Sequence, residues 1–531
     1  MVRRKSIAIF LILFLQLSAN CNSAPLSTRS RWIVDEATGQ RVKLKCVNWV
    51  SHLQPMIAEG LDKKPLSVIV GNISQSGFNC VRFSWATYMF TRHEYYGLTV
   101  SQSLDKYNLV AAKAGVDEHN KWILKMKIKE AHEAVVNELG RQRLMVVLDN
   151  AISQPEWCCD GKDSNGFFGD SNFDPTEWFN GLRDVAKRYK GNAAVIGMSL
   201  RNELRGSRQN LPDYYKFMQA GANTVHQESP HFLVIVSGLH SDINLSFLKT
   251  KPLSLNVNNK LVFEAHWYTF GISPGTWTRR TNFVCNYITQ AARNNYLFLI
   301  NGDNPFPLFL SEFGIDQSGE NEADNRYINC LLAEVAGKDI EWSLWAFQGS
   351  YMLRQGKVNA DEAYGVSDFN WDRPRNRRFL RKLELIRHIN QDPKSKKPSR
   401  YIMFHPQSGK CVRIGEADHT LLDNCKYASR WDQDGSRIKL AGTQQCLTAN
   451  RDGAVASVTK DCSSGWQFAS SSGLHLAVQI EQGKYLCLEK NAYGPKVITK
   501  KCRCVDDKLA DLNTCDENPQ VQWFKLVPTN V

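Results

Sequence analysis

Beyond residue 24 the chain lacks any uninterrupted apolar run approaching about 18 residues, which leaves no room for a membrane-spanning helix in the bulk of the sequence. Acidic residues are the scarcer charge, 53 Asp and Glu against 66 Lys and Arg, for a formal net charge of +13. There is no Cys-x-x-Cys pair, and no histidine lies close to the adjacent Cys158 and Cys159. A zinc-type cluster therefore lacks its spacing, and neither a metal nor a cofactor is expected. Of 531 residues, 43% are hydrophobic and 22% charged, a globular composition long enough for at least two domains.

What is present begins with a leader. Residues 1–24 join Arg3, Arg4 and Lys5 to the apolar run IAIFLILFLQL and small residues after it, the three-part layout of a secretory signal peptide. The secretory route sets nucleic acid aside as a partner for the basic excess and favours an acidic polysaccharide or an anionic surface. Fifteen cysteines, fourteen without Cys21, suit an oxidising compartment. Asn72-Ile-Ser and Asn244-Leu-Ser are N-glycosylation sequons admissible on the same route. Cys158 and Cys159 are too close to bridge each other without strain, so at least one is expected to tie its loop elsewhere.

From about Trp32 to Ile389, eight strand-like apolar runs alternate with helical patterns: VKLKCVNWV, NCVRFSWA, RLMVVLDN, AAVIGMSLRNE, FLVIVSGL, KLVFEAHWY, LFLSEFG and DIEWSLWAFQG. Strand and helix in this alternation and number predict a closed parallel (β/α)8 TIM barrel, with its chemistry at the carboxyl ends of the strands. Those ends carry Asn48, Arg82, Asp149, Glu203, His266, Tyr268, Glu312 and Trp345. Glu203 and Glu312 stand out: each closes a buried-strand signal, and they are separated by roughly three strand-plus-helix units. Asn-Glu occurs at three places, but Asn137-Glu138 ends a helical pattern and Asn321-Glu322 lies in a polar stretch, so only Asn202-Glu203 sits at a strand end. Two carboxyl groups delivered from two strand ends are what acid-assisted hydrolysis of a sugar linkage requires. The loop SQPEWCCDGKDSNGFFGD, rich in aromatics and glycine, reads as a cleft wall.

At QDPKSKKPSR, residues 391–400, apolar periodicity stops, which predicts a linker between two units that need few contacts with each other. Beyond it, short strands carry cysteines at Cys411/Cys425, Cys446/Cys462 and Cys487/Cys502, spaced 14, 16 and 15 residues, and tryptophans at Trp431, Trp466 and Trp523. Three such repeats of about 40 residues predict a small all-β unit with pseudo-threefold symmetry.

Residues 401–531 resemble a ricin-type β-trefoil lectin domain, although Arg430-Trp431, Gly465-Trp466 and Gln522-Trp523 lack the spacing of its glutamine–x–tryptophan signature. The resemblance implies one disulfide per lobe and glycan binding, against which stands the reading that the tryptophans only pack the core. Residues 25–390 resemble a retaining glycoside hydrolase of family 5, the cellulase family, in its plant-type form: Arg82 in NCVRFSW, Asn202-Glu203 after strand four, His266-Trp-Tyr268 after strand six, Glu312 in SEFG and Trp345 in strand eight. The resemblance implies Glu203 as acid/base and Glu312 as nucleophile. Arg82 and Tyr268 would support Glu312, His266 would sit beside Glu203, Asn202 would contact the sugar 2-hydroxyl, and Trp345 would be a stacking platform. Two departures stand out: the family's Asp-x-His after strand three is Asp149-Asn150-Ala151, and its usual proline after the acid/base is Leu204. The expectation is a secreted, cell-wall β-glycosidase acting on a β-glucan or mannan. The alternative is a catalytically weak, lectin-like binding protein, for which Ala151 and the altered trefoil motifs speak.

Overall fold

In the computed structural model, residues 25–160 and 163–531 are described; the leader expected at 1–24 lies outside them. Each of the eight apolar runs forms one strand of a closed parallel barrel: β1 (Lys45–Trp49), β2 (Cys80–Ala86), β3 (Met145–Ile152), β4 (Val195–Ser199), β5 (Leu233–Val236), β6 (Leu261–His266), β7 (Leu308–Phe313) and β8 (Glu341–Leu344). β8 closes the ring on β1 through Trp342↔Lys45, Ser343↔Cys46 and Leu344↔Val47. The runs are mostly apolar because barrel strands are covered on both faces, and every residue of β2, Arg82 and Ser84 included, is buried.

The helices between strands start where capping chemistry dictates. Asp174 accepts a hydrogen bond from the Glu177 amide, with Pro175 in the first turn of Pro175–Tyr189. Asn210 plays the same part for Leu211–Glu228. Among the described residues no helix is long and apolar enough to cross a membrane.

The fourteen cysteines among the described residues form seven disulfides. Cys46–Cys80 joins the paired residues of β1 and β2, and Cys285–Cys330 joins two barrel helices. Cys158 and Cys159 are bonded to each other across a cis peptide, not to partners elsewhere as the sequence led us to expect. A cis bond brings the two Cα atoms to 3.0 Å, a closeness that the trans geometry assumed from sequence does not reach.

Residues 400–529 form a β-rich unit whose Cys411–Cys425, Cys446–Cys462 and Cys487–Cys502 bonds follow the repeat spacing, with Cys504–Cys515 in addition. Trp431, Trp466 and Trp523 are all buried. The segment 391–400 is pinned: Asp392 and Asn530 exchange hydrogen bonds of 2.7 and 3.0 Å. The two units do not merely adjoin. Ile402, Phe404, Leu474, Trp523 and Val527 belong to the same apolar cluster as the layer between the barrel strands and their helices. Gln520 is held between Asn329 and the Arg326 carbonyl at 2.7 and 2.9 Å, and the Trp523 indole donates to Asn282 at 3.1 Å. The expectation of units with few mutual contacts is not met, because a polar linker says nothing about the faces it allows to meet.

Candidate active site

Seven residues read from the sequence as a site converge at the carboxyl ends of the barrel strands. Asn202, Glu203, His266, Tyr268, Glu312 and Trp345 line one cleft of about 740 Å³, and Arg82 lies directly beneath. Arg82, on β2, is buried and organises the floor. One guanidinium nitrogen donates to Glu312 Oε1 at 2.9 Å and Asn48 Oδ1 at 3.0 Å; the other donates to Asp149 Oδ1 and Asn202 Oδ1, both at 2.9 Å. Burial alone would loosen its proton, but Asp149, Glu264 and Glu312 outweigh that and raise its pKa above the ordinary value. The same crowding pushes Asp149 up to about 7, burial being the main cause and Arg82 the main opposition.

Glu312, at the end of β7, accepts from Arg82 through Oε1 and from the Tyr268 hydroxyl through Oε2 at 3.3 Å. Burial raises its pKa, with His266 and Arg82 pulling the other way and Glu203 adding to the rise. Glu203 meets different partners. His266 Nδ1 lies 2.9 Å from Glu203 Oε1 and 3.8 Å from Glu312 Oε2, and the Glu203 side chain keeps 17% of its surface exposed. The His266 pKa is raised to about 9: burial opposes the charge, and Glu312, Glu203 and Asp242 more than restore it. One oxygen of Glu203 and one of Glu312 lie within 4.8 Å of each other. These two carboxyls and His266 are spaced as metal ligands can be, as are Cys158, Cys159 and Glu203. In the first set the donor atoms are engaged with one another and with Arg82, and in the second the sulfurs are joined as a disulfide.

The walls are aromatic. Trp345 and Trp157 meet edge to face at 6.3 Å, and Phe270, 76% exposed, stacks on Tyr268 at 4.7 Å. Trp157 and the Cys158–Cys159 disulfide come from the loop read as a cleft wall, and Asn202 Nδ2 points to both sulfurs at 3.5 Å. Ala151 also lines the cleft, at the place where the family's histidine is missing. His52 lines it too, its Nδ1 bonded to Ser84 Oγ at 2.7 Å and its pKa pushed down to about 3 by burial.

Sequence reasoning missed Glu264, His52 and Asp242. Glu264 carried a signal, a charge inside the buried run LVFEAHWY, where it sits 3.4 Å from Arg82 and accepts from Ser199. Asp242 carried none.

A closed parallel barrel with two carboxyl groups facing each other over a buried arginine, under aromatic walls, defines a barrel enzyme of glycoside hydrolysis. Residues 39–350 match the model of the cellulase family, glycosyl hydrolase family 5. A glycosyl hydrolase 5 family protein of Chamaecyparis obtusa is 40% identical over 98% of this chain and 96% of its own length. The chain belongs to glycosyl hydrolase family 5. An endoglucanase of Paenibacillus polymyxa is 20% identical over 60% of this chain. Among solved structures, an endocellulase of Pyrococcus horikoshii superposes with a TM-score of 0.53 at 16% identity, covering 66% of this chain and 96% of its own. The catalytic domain of the major endoglucanase of Xanthomonas campestris gives 0.53 at 21% identity, covering 68% and 98%. At such identities the superpositions speak for the barrel fold alone.

Proposed function

We propose that the protein is a secreted, retaining β-glycosidase that cleaves a β-linked cell-wall polysaccharide, a β-glucan or mannan, with Glu312 as nucleophile and Glu203 as acid/base. The observation that carries this reading is the unequal support of the two carboxyls. Arg82 and Tyr268 both donate to Glu312, which favours a carboxylate ready to attack the anomeric carbon. Among the described residues the Glu203 carboxyl hydrogen-bonds to the imidazole of His266 alone, and it stays partly open to the cleft, suited to handing a proton to a leaving oxygen and later taking one from water. Oxygens within 4.8 Å support the ~5–5.5 Å carboxyl separation of retaining enzymes over the ~6.5–9.5 Å of inverting ones. Asn202, fixed by Arg82, offers its amide to the sugar 2-hydroxyl, and Trp345 and Trp157 offer indole faces to the rings.

The experiment is a pair of substitutions. With Glu312→Gln, kcat on every substrate falls by about a thousandfold or more, because no glycosyl-enzyme forms. With Glu203→Gln the loss is far smaller for a nitrophenyl glycoside than for a polysaccharide, since an acidic phenol needs little protonation. Proton NMR of the wild-type reaction detects the retained anomer first; initial inversion, or two fully active variants, overturns the assignment.

For the C-terminal unit we propose a ricin-type trefoil that adds glycan contact. Its buried tryptophans serve the interior, so sugar stacking falls to exposed rings such as Tyr427, Phe468 and Tyr493. The relatives' description as endoglucanases, one of them extracellular, supports β-glucan as the first substrate to try and action outside the cell.

A further inference from the structure

Glu203 has a left-handed backbone, φ 46°, unusual for a residue with a Cβ. What holds it there is the turn after β5. His240, Ser241 and Asp242 all have positive φ, 56°, 56° and 60°. This three-residue left-handed turn is laced to the segment after β4: the Ser241 amide donates to the Leu204 carbonyl at 2.8 Å, and the His240 amide to Gln209 Oε1 at 2.7 Å. The third link runs the other way, from the Glu203 amide to Asp242 Oδ2 at 2.9 Å. That same carboxyl oxygen lies 3.6 Å from His266 Nε2, on the side of the ring opposite Glu203. Asp242 is fully buried, and among the described residues neither its second oxygen nor His266 Nε2 has a hydrogen-bond partner.

We propose that Asp242 is the positioning residue of the acid/base: it grips Glu203 from both ends, by its backbone amide directly and by its carboxyl through His266. The proposal rests on the reading of Glu203 as acid/base. The mechanism needs a carboxyl that is protonated when the leaving group departs and ionised when water attacks, at a fixed place near the cleft centre. A left-handed main chain turns the Glu203 side chain toward His266. Burial raises the Asp242 pKa well above the carboxylate range and the facing His266 is the main pull the other way, so the ionised carboxyl and the imidazolium that faces Glu203 and Glu312 support each other. The charged and titratable groups around Asp242 are His266, Glu264, Glu203, Arg82 and Tyr214; those around His266 are Glu312, Glu203, Asp242 and Asp149. Asp242 is the one that touches the Glu203 main chain and faces the far ring nitrogen.

Asp242→Asn tests this, since its amide oxygen can still accept from the Glu203 amide while the charge is lost. The alkaline limb of the kcat/KM–pH profile should move about one unit toward lower pH, because His266 gives up its proton more readily without the anion. At the optimum, kcat/KM on an oligosaccharide should fall by about tenfold or more, against about threefold or less on a dinitrophenyl β-glycoside of the same sugar, cellobiose or mannobiose. Equal losses on both substrates with an unmoved limb mean that Asp242 is structural only, and overturn the proposal. Glu203→Gln is measured alongside: if it shows no leaving-group contrast, the acid/base reading has failed, whereas contrast there and none in Asp242→Asn sinks the Asp242 proposal alone. Should Asp242→Asn not fold, wild-type protein labelled with 15N-histidine decides: His266 Nε2 should carry its proton across the active pH range, and a bare, pyridine-type Nε2 overturns the proposal.

Discussion

The imidazoles of His52, His132, His405 and His475 are buried, and loss of solvent pushes the pKa of each down to about 3. In the unfolded chain each takes up a proton near 6.5, so as pH falls from 6.5 toward 3 the unfolded state binds more protons and stability is lost. Asp149, raised from 3.8 to about 7, runs the other way and offsets part of this. His266, raised to about 9, contributes stability that is full below 6.5 and lost as pH rises through 9. Calorimetry across pH should therefore place the highest Tm near neutrality. His132→Gln should flatten the acid side by one proton; an unchanged slope would mean that His132 is charged in the fold. Most of the site's residues were legible because each ends a strand signal, and strand ends are where a barrel does chemistry. Asp242 was not, since a run of three left-handed residues is expected of Gly, Asn and Asp, and the turn that places it reads His-Ser-Asp, with two of the three positions unmarked.

The ends of β7 and β8 converge so closely that a side chain would not fit between them. At Gly314, one residue past β7, an added Cβ would lie 2.3 Å from the Trp345 carbonyl oxygen. Glu312 and Trp345 are thus set on opposite sides of a contact that only glycine permits. Gly314→Ala should force the two strand ends apart, costing about 1–3 kcal/mol of stability and lowering kcat with it; a variant with unchanged Tm and kcat would show that the strand ends yield without consequence. Barrel strands were readable because each is a short, mostly apolar run between helical patterns. The C-terminal strands, of three to seven residues, were legible only through cysteine spacing. The Cys158–Cys159 bond was beyond such reasoning, because a rule about distances assumes a trans peptide between neighbours.

Across the whole molecule, the shared apolar cluster decides how separable the parts are. A chain ending at Asp392 loses the cover provided by Ile402, Phe404, Trp523 and Val527, and takes Lys525 away from the buried Glu334, 3.8 Å distant. Its Tm should fall by about 5 °C or more, roughly 2 kcal/mol, with a tendency to aggregate; an unchanged Tm and full solubility would show that the interface adds nothing to the barrel. The sequence had suggested the opposite, because composition reports a linker's polarity and not the complementarity of the surfaces at its ends.

Strand Lys525–Thr529 pairs with Arg400–His405 and packs on the barrel helix Glu322–Lys338. During synthesis the barrel can close once β8 has left the ribosome, yet the partner for one of its flanks arrives nearly two hundred residues later. Until residues 525–529 emerge, that flank stands open to water and to other nascent chains. A premature stop shortly before them thus harms more than the segment it removes: it releases a finished barrel with an unfinished side, a natural target for chaperones and for cellular quality control.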